Sequence, residues 1–110
     1  MLLEIALTVC LTTDLPCADI NVELKSLSRE TLGQAVLYTT GRTEIHINKD
    51  TFEDLSERRL RALLVHEYAH IKTYAQGEIK SHHGSAFRKN CLALAKLHNV
   101  SQATCKANIH

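Results

Sequence analysis

The sequence predicts an α+β domain built around one central helix. Three observations carry this expectation: an apolar N-terminal run that stops near a proline, three short segments with alternating apolar and polar residues, and a long helical pattern that is apolar on most of its circumference. A chain of 110 residues suits one domain with one modest core.

The first run holds Leu2, Leu3, Ile5, Ala6, Leu7, Val9 and Leu11. It is apolar nearly all round, so a helix here is expected to be buried, and periodicity alone leaves a strand open. Asp14-Leu15-Pro16 breaks it. Ile20 to Lys25 alternates as a half-buried strand does. A polar stretch follows, and Gly33 opens a second strand to about Thr39. Thr40-Gly41-Arg42 is a turn. Thr43 to Asn48 alternates again, with Ile45 and Ile47 inward and His46 toward solvent. The expected sheet is an antiparallel meander of three strands.

Thr51 to Leu55 fits a short helical turn, and Ser56 can cap the next helix although Arg59 stands where a glutamate would complete the capping box. That helix spans about Glu57 to Ala75 and ends at Gln76-Gly77. Leu60, Leu64 and Ile71 form one apolar sector; Ala62, Val65 and Ala69 form another. Leu63, His66, Glu67, His70 and Tyr74 lie between them, and the polar strip is Arg61, Tyr68 and Lys72. A last helix covers about Gly84 to His98, with Phe87, Cys91 and Leu94 on one stripe. From Asn99 the chain is polar and short, as a loosely held tail is. The expected organisation is one domain over residues 1–98 and a tail over 99–110.

A net charge of +1 provides no global basic field for nucleic acid. Arg58, Arg59, Arg61, Lys80, Arg88 and Lys89 remain candidates for a local basic rim. No apolar run is long enough to span a membrane. Residues 1–11 include Glu4 and lack a basic start and a small-residue cleavage site, so no signal peptide is expected and the location is read as intracellular. Cys10, Cys17, Cys91 and Cys105 form no C-x-x-C pair, which argues against a zinc ribbon. For an intracellular chain they are expected as reduced thiols.

The chemistry concentrates in His66-Glu67-Tyr68-Ala69-His70. Residues four apart on a helix share a face, so the two imidazoles aim at one point, where they can share a metal ion. Glu67, one residue on, lies beside that point. The pattern is a signature of zinc peptidases. A catalytic zinc has three protein ligands and one open position. Glu78, His82, His83 and His46 are candidates for the third; Glu78 is too close to the helix end to fold back, while His82 and His83 have enough intervening chain. Tyr74, one turn beyond His70, can serve the site as a donor or pack in the core.

His66-Glu67-x-x-His70, twelve residues and then His83-Gly84-x-x-Phe87 resembles the SprT-like metalloprotease family. The resemblance extends upstream through Leu15-Pro16, Leu32-Gly33-Gln34-Ala35, Ile45-His46-Ile47-Asn48 and Leu63-Leu64-Val65, over roughly residues 1–98. It implies a minimal zincin-like domain: N-terminal helix, three-stranded antiparallel sheet, active-site helix and C-terminal helix. It implies one catalytic Zn2+ on His66, His70 and His83, with His82 the alternative third ligand, and Phe87 packing under the last helix. Glu67 is then the general base that deprotonates the zinc-bound water. Extended protein or peptide substrate is expected to pair with an edge strand, for which Thr43 to Asn48 is the candidate. Substrates bound or crosslinked to DNA follow from the resemblance, although Cys105 is the one cysteine after residue 98 in this sequence, so a cysteine zinc ribbon is not expected from these residues. Two other readings stay open: an intracellular peptidase unconnected with DNA, and a zinc-stabilised binding module without catalysis.

Overall fold

The computed structural model describes residues 1–79 and 83–106; Lys80 and His82 lie outside the described residues. Helix α1 (Leu2–Cys10) leads to strand β1 (Asn21–Lys25), then β2 (Gly33–Leu37) and β3 (Thr43–Asn48). A single turn, α2 (Lys49–Phe52), precedes the long α3 (Glu57–Ala75), and α4 (Ser85–Leu97) follows. A terminal 3-10 turn, Gln102–Cys105, closes the described chain. Among the described residues no helix is long and apolar enough to cross a membrane.

Helix α1 forms where a helix or a strand was open, but it is not buried all round. Ile5, Ala6, Val9 and Cys10 face α3 and are buried, whereas Leu3 and Leu11 are each 67% exposed. The helix lies at the margin of the domain and one face is all that its neighbours cover.

The sheet corrects the expected meander. Its order is β1-β3-β2, with β1 parallel to β3 and β2 antiparallel to it. Alternation tells which face of a strand is apolar and nothing about which strand lies beside it. Here β3 takes the centre, and Val22, Ile45 and Ala35 align in one row across the three strands. Asn48 anchors the connection between β1 and β2: its side-chain amide donates to the carbonyls of Ser28 (3.1 Å) and Thr31 (2.9 Å). Its carbonyl oxygen accepts from the Asp50 N–H at the start of α2 (3.0 Å). The central position also buries His46, expected in solvent, to 6% exposure, because β1 and β2 flank it with side chains on the outer face.

Helix α3 packs across the inner face of the sheet. At Gly33 the two surfaces nearly touch: a Cβ there would lie 3.3 Å from Leu63 Cδ1 and 3.2 Å from the His46 carbonyl oxygen. Every residue of α3 from Leu63 to Ile71 is buried. That includes Tyr68, expected on the polar strip; it borders the recess between α1 and β1. Helix α4 pairs with α3, and the Asn90 side-chain amide donates to Thr73 Oγ1 (3.0 Å) and Gln76 Oε1 (2.9 Å).

The cysteines differ from the expectation of free thiols. Cys10–Cys17 joins the end of α1 to the turn before β1, and Cys91–Cys105 joins α4 to the terminal turn. Sequence spacing does not reveal pairing, which depends on Cα atoms approaching within bridging range; the two pairs stand at 5.9 and 5.7 Å. The second pair exists because the supposed tail folds back. Asn99 adopts φ 55°, a left-handed value that asparagine tolerates at a helix end. The chain then reverses, and Val100, Thr104 and Cys105 are buried against α3 and α4.

Gly33→Ala is expected to cost about 1–3 kcal/mol of stability, the usual range for overpacking. A denaturation midpoint equal to wild type would show that the sheet and α3 have room to separate.

Candidate metal centre

Helix α3 builds the site. Ser56 caps it, its Oγ accepting from the Arg59 N–H (3.2 Å), and the helix then runs uninterrupted for 19 residues. Four-residue spacing puts His66 and His70 one turn apart, with their Nε2 atoms at 3.2 Å. Gly77, at φ 87°, ends the helix and reverses the chain. His83 lies over the pair, its ring centroid 5.3 Å from that of His66 and 5.0 Å from that of His70. The two helical rings are 4.9 Å apart, so the three imidazoles form a nearly equilateral triangle.

The geometry suits a metal. One ligand nitrogen from each of the three histidines falls within 4.8 Å of the others. Nitrogens about 2.0–2.1 Å from a tetrahedral zinc are ~3.3 Å apart, close to the His66–His70 separation. His66 Nδ1 donates to the Thr104 carbonyl at 2.6 Å. That bond selects the tautomer in which Nε2 carries the lone pair toward the other imidazoles. His66 and His70 are buried while His83 is exposed, so the site opens to solvent on the His83 side.

Glu67 supplies a second reason to place a cation here. It is fully buried, and among the described residues neither carboxylate oxygen has a hydrogen-bond partner. Burial pushes its carboxyl well above the usual range. A buried carboxylate left in that state is costly, and a nearby cation or a proton donor relieves the cost. The residues present therefore fit a zinc ion, both by donor type and by the unmet need of Glu67.

Phe87 forms the wall from α4. Its ring stacks on His70 at 4.2 Å and meets His66 and His83 edge-on at 4.9 and 5.1 Å. Tyr74 lies parallel to the His70 ring at 6.1 Å and also packs against the core. Burial raises its hydroxyl pKa, with the Glu67 charge adding to the effect. The structure thus gathers His66, Glu67, His70, His83 and Tyr74; His82 is outside the described residues. Sequence reasoning missed Thr104, because the group it contributes is a backbone carbonyl.

Three of the candidate basic residues border recesses of the surface. Arg58 and Arg61 border a polar recess with His98, and Arg59 borders a separate groove with Leu32, Leu63 and Thr104. His98 is held at the end of α4 by a 2.8 Å hydrogen bond between Nε2 and Thr12 Oγ1.

An α+β domain in which two histidines of one helix and a third from the following segment bring their ring nitrogens within reach of a shared ion is the class that fold and site define. The SprT-like family model matches residues 5–107, nearly the whole chain, and the chain belongs to that family of metalloprotease-like domains. No curated protein matches it.

A second cluster, Glu23, Glu44 and His46, lies on the outer face of the sheet. Here Glu44 is already satisfied. His46 Nε2 and Tyr38 Oη both donate to its Oε1 at 2.9 Å, and Arg42 pairs with its Oε2 at 3.2 Å. The His46 hydrogen bond, then that of Tyr38, lowers the Glu44 pKa from 4.5 to about 2. The folded state therefore favours ionised Glu44, and its contribution is complete above pH 4.5 and is lost as pH falls toward about 2. Glu44→Gln is expected to flatten this part of the acid-unfolding profile; an unchanged acid limb would show that the cluster adds nothing to stability.

Proposed function

We propose that the domain is a zinc-dependent endopeptidase with Glu67 as general base, acting on proteins bound or crosslinked to DNA. The observation that carries the catalytic reading is Glu67: a buried carboxylate, unpartnered among the described residues, next to imidazoles that converge from two segments. A structural metal site has no use for such a group, whereas peptide hydrolysis needs one that accepts and returns a proton.

His66, His70 and His83 would hold a zinc ion, which would supply Lewis-acid polarisation of the peptide carbonyl and of the attacking water. Glu67 takes the proton from that water and delivers it to the leaving amine nitrogen. The Thr104 carbonyl keeps His66 in the tautomer that ligation needs. Phe87 shields the inner side of the imidazoles from water. Tyr74, whose ring lies alongside that of His70, is the neighbouring phenol available to the site as a donor.

The strand proposed to receive substrate changes. Thr43 to Asn48 is β3, which pairs on both sides and has no edge to offer. Of the two outer strands, β2 lies toward the site: Leu32, at its entry, shares a groove with Ala62, Leu63 and Thr104. An extended peptide adding to β2 is read through its backbone, so preference for particular side chains is expected to be loose.

Family membership supports the DNA-linked substrate. The disulfides favour a second reading, a peptidase unconnected with DNA that works where disulfides persist. Cleavage of a protein–DNA crosslink, and of the same protein without DNA, separates the two. Activity that rises with DNA supports the first; activity indifferent to DNA supports the second.

Glu67→Gln is expected to lower turnover by at least about 100-fold, the low end for loss of an acid–base group, while zinc remains bound. Equal activity of this variant and wild type would remove the catalytic reading. His83→Ala is expected to weaken zinc binding by more than the ~10–100-fold that loss of an outer hydrogen-bond partner costs, and His82→Ala to leave it unchanged. The reverse pattern would move the third ligand to His82.

A further inference from the structure

The terminal turn meets the metal centre at the Thr104 carbonyl and is tied covalently to α4. The Thr104 carbonyl accepts the 2.6 Å hydrogen bond from His66 Nδ1. The next residue, Cys105, is tied to Cys91 on α4. Cys91 lies one helical turn beyond Phe87, whose ring packs on the histidines. The turn has few other anchors: Thr104 Oγ1 donates to the Ala62 carbonyl at 2.9 Å, and the Val100 N–H donates to the Ala95 carbonyl at 2.9 Å. From Asn99 onward, then, a short reversed segment presents one carbonyl to one imidazole.

We propose that the Cys91–Cys105 disulfide and the Thr104 carbonyl are positioning residues for the metal centre, the covalent bond fixing the carbonyl that orients His66 as a ligand. The inference rests on the metal-site reading and extends it to a segment with no ligand of its own. A ligating histidine needs its far nitrogen satisfied, since that partner fixes both tautomer and ring angle. Most such partners sit on regular elements held by many contacts. Here the partner sits on a turn of four residues, and a freely moving turn would let the ring rotate away. Cys91 and Cys105 are both buried, which shields the bond from exchange and suits a permanent clamp. Cys10–Cys17 lines the recess between α1 and β1 and provides an internal control.

The test compares Cys91→Ser/Cys105→Ser with Cys10→Ser/Cys17→Ser. Zinc affinity of the apoprotein is measured by chelator competition, and the His66 ring is followed by imidazole 15N and Nδ1–H NMR without metal. Both variants are expected to lose thermal stability. The first alone is expected to weaken zinc binding by about 10–100-fold and to lose the protected Nδ1–H signal. Wild-type affinity and an intact Nδ1–H signal in the first variant would overturn the inference while leaving the metal site standing. Equal weakening in both variants would also overturn it, as a general stability effect. Failure of wild type to bind zinc would remove the metal reading and this inference together. If Cys91→Ser/Cys105→Ser does not fold, Thr104→Val replaces it. Losing the hydroxyl bond to Ala62 is expected to weaken zinc binding several-fold, and wild-type affinity there would count against the inference.

Discussion

The structure depends on the burial of α3. A helix that carries two histidines and a glutamate inward cannot rest on one partner, because each face left in water would hydrate the site. The sheet covers one side, α1 a second, and α4 with the terminal turn a third. Each cover is thin. The sheet approaches so closely at Gly33 that a methyl group would meet Leu63, and α1 offers only its inner face. The result is a small domain whose longest element is enclosed along its middle, leaving the His83 side as the approach to the site.

Enclosure sets the electrostatics. In water Glu67 would be an ordinary carboxylate; in its pocket the charged form is disfavoured by desolvation, and among the described residues no donor relieves it. Glu44 is the opposite case on the outer face of the same sheet. It carries three partners, and its proton affinity falls. Two glutamates in one small domain are thus tuned in opposite directions, one by withdrawal of partners and one by their supply. The first arrangement suits proton transfer and the second suits structure.

Small domains have little core with which to hold their last residues, and this one fastens both margins covalently. Cys10–Cys17 pins the marginal helix, and Cys91–Cys105 pins the terminal turn. Cross-links that restrict the unfolded chain add stability where apolar area is scarce. The second bond has the further consequence that the far nitrogen of a ligand-bearing ring is addressed from residues that sequence composition presents as a tail.

Local information was enough for the elements and for the heart of the site. Ser56, the apolar sectors and Gln76-Gly77 marked α3 to its ends, and four-residue spacing placed His66 and His70 together, because helical geometry depends only on nearby residues. His83 followed from the paired motifs of the family. What needed the tertiary structure was every question of neighbours. Alternation in Ile20–Lys25 and Thr43–Asn48 identified strands but could not show that β3 lies between the others, so the sheet became mixed, His46 became buried and the edges fell to β1 and β2. Tyr68 read as polar until α1 and β1 covered it. The Cys91–Cys105 pairing and the position of the Thr104 carbonyl depend on the chain reversing at Asn99. A backbone carbonyl is carried by every residue alike, so only its position in space distinguishes this one.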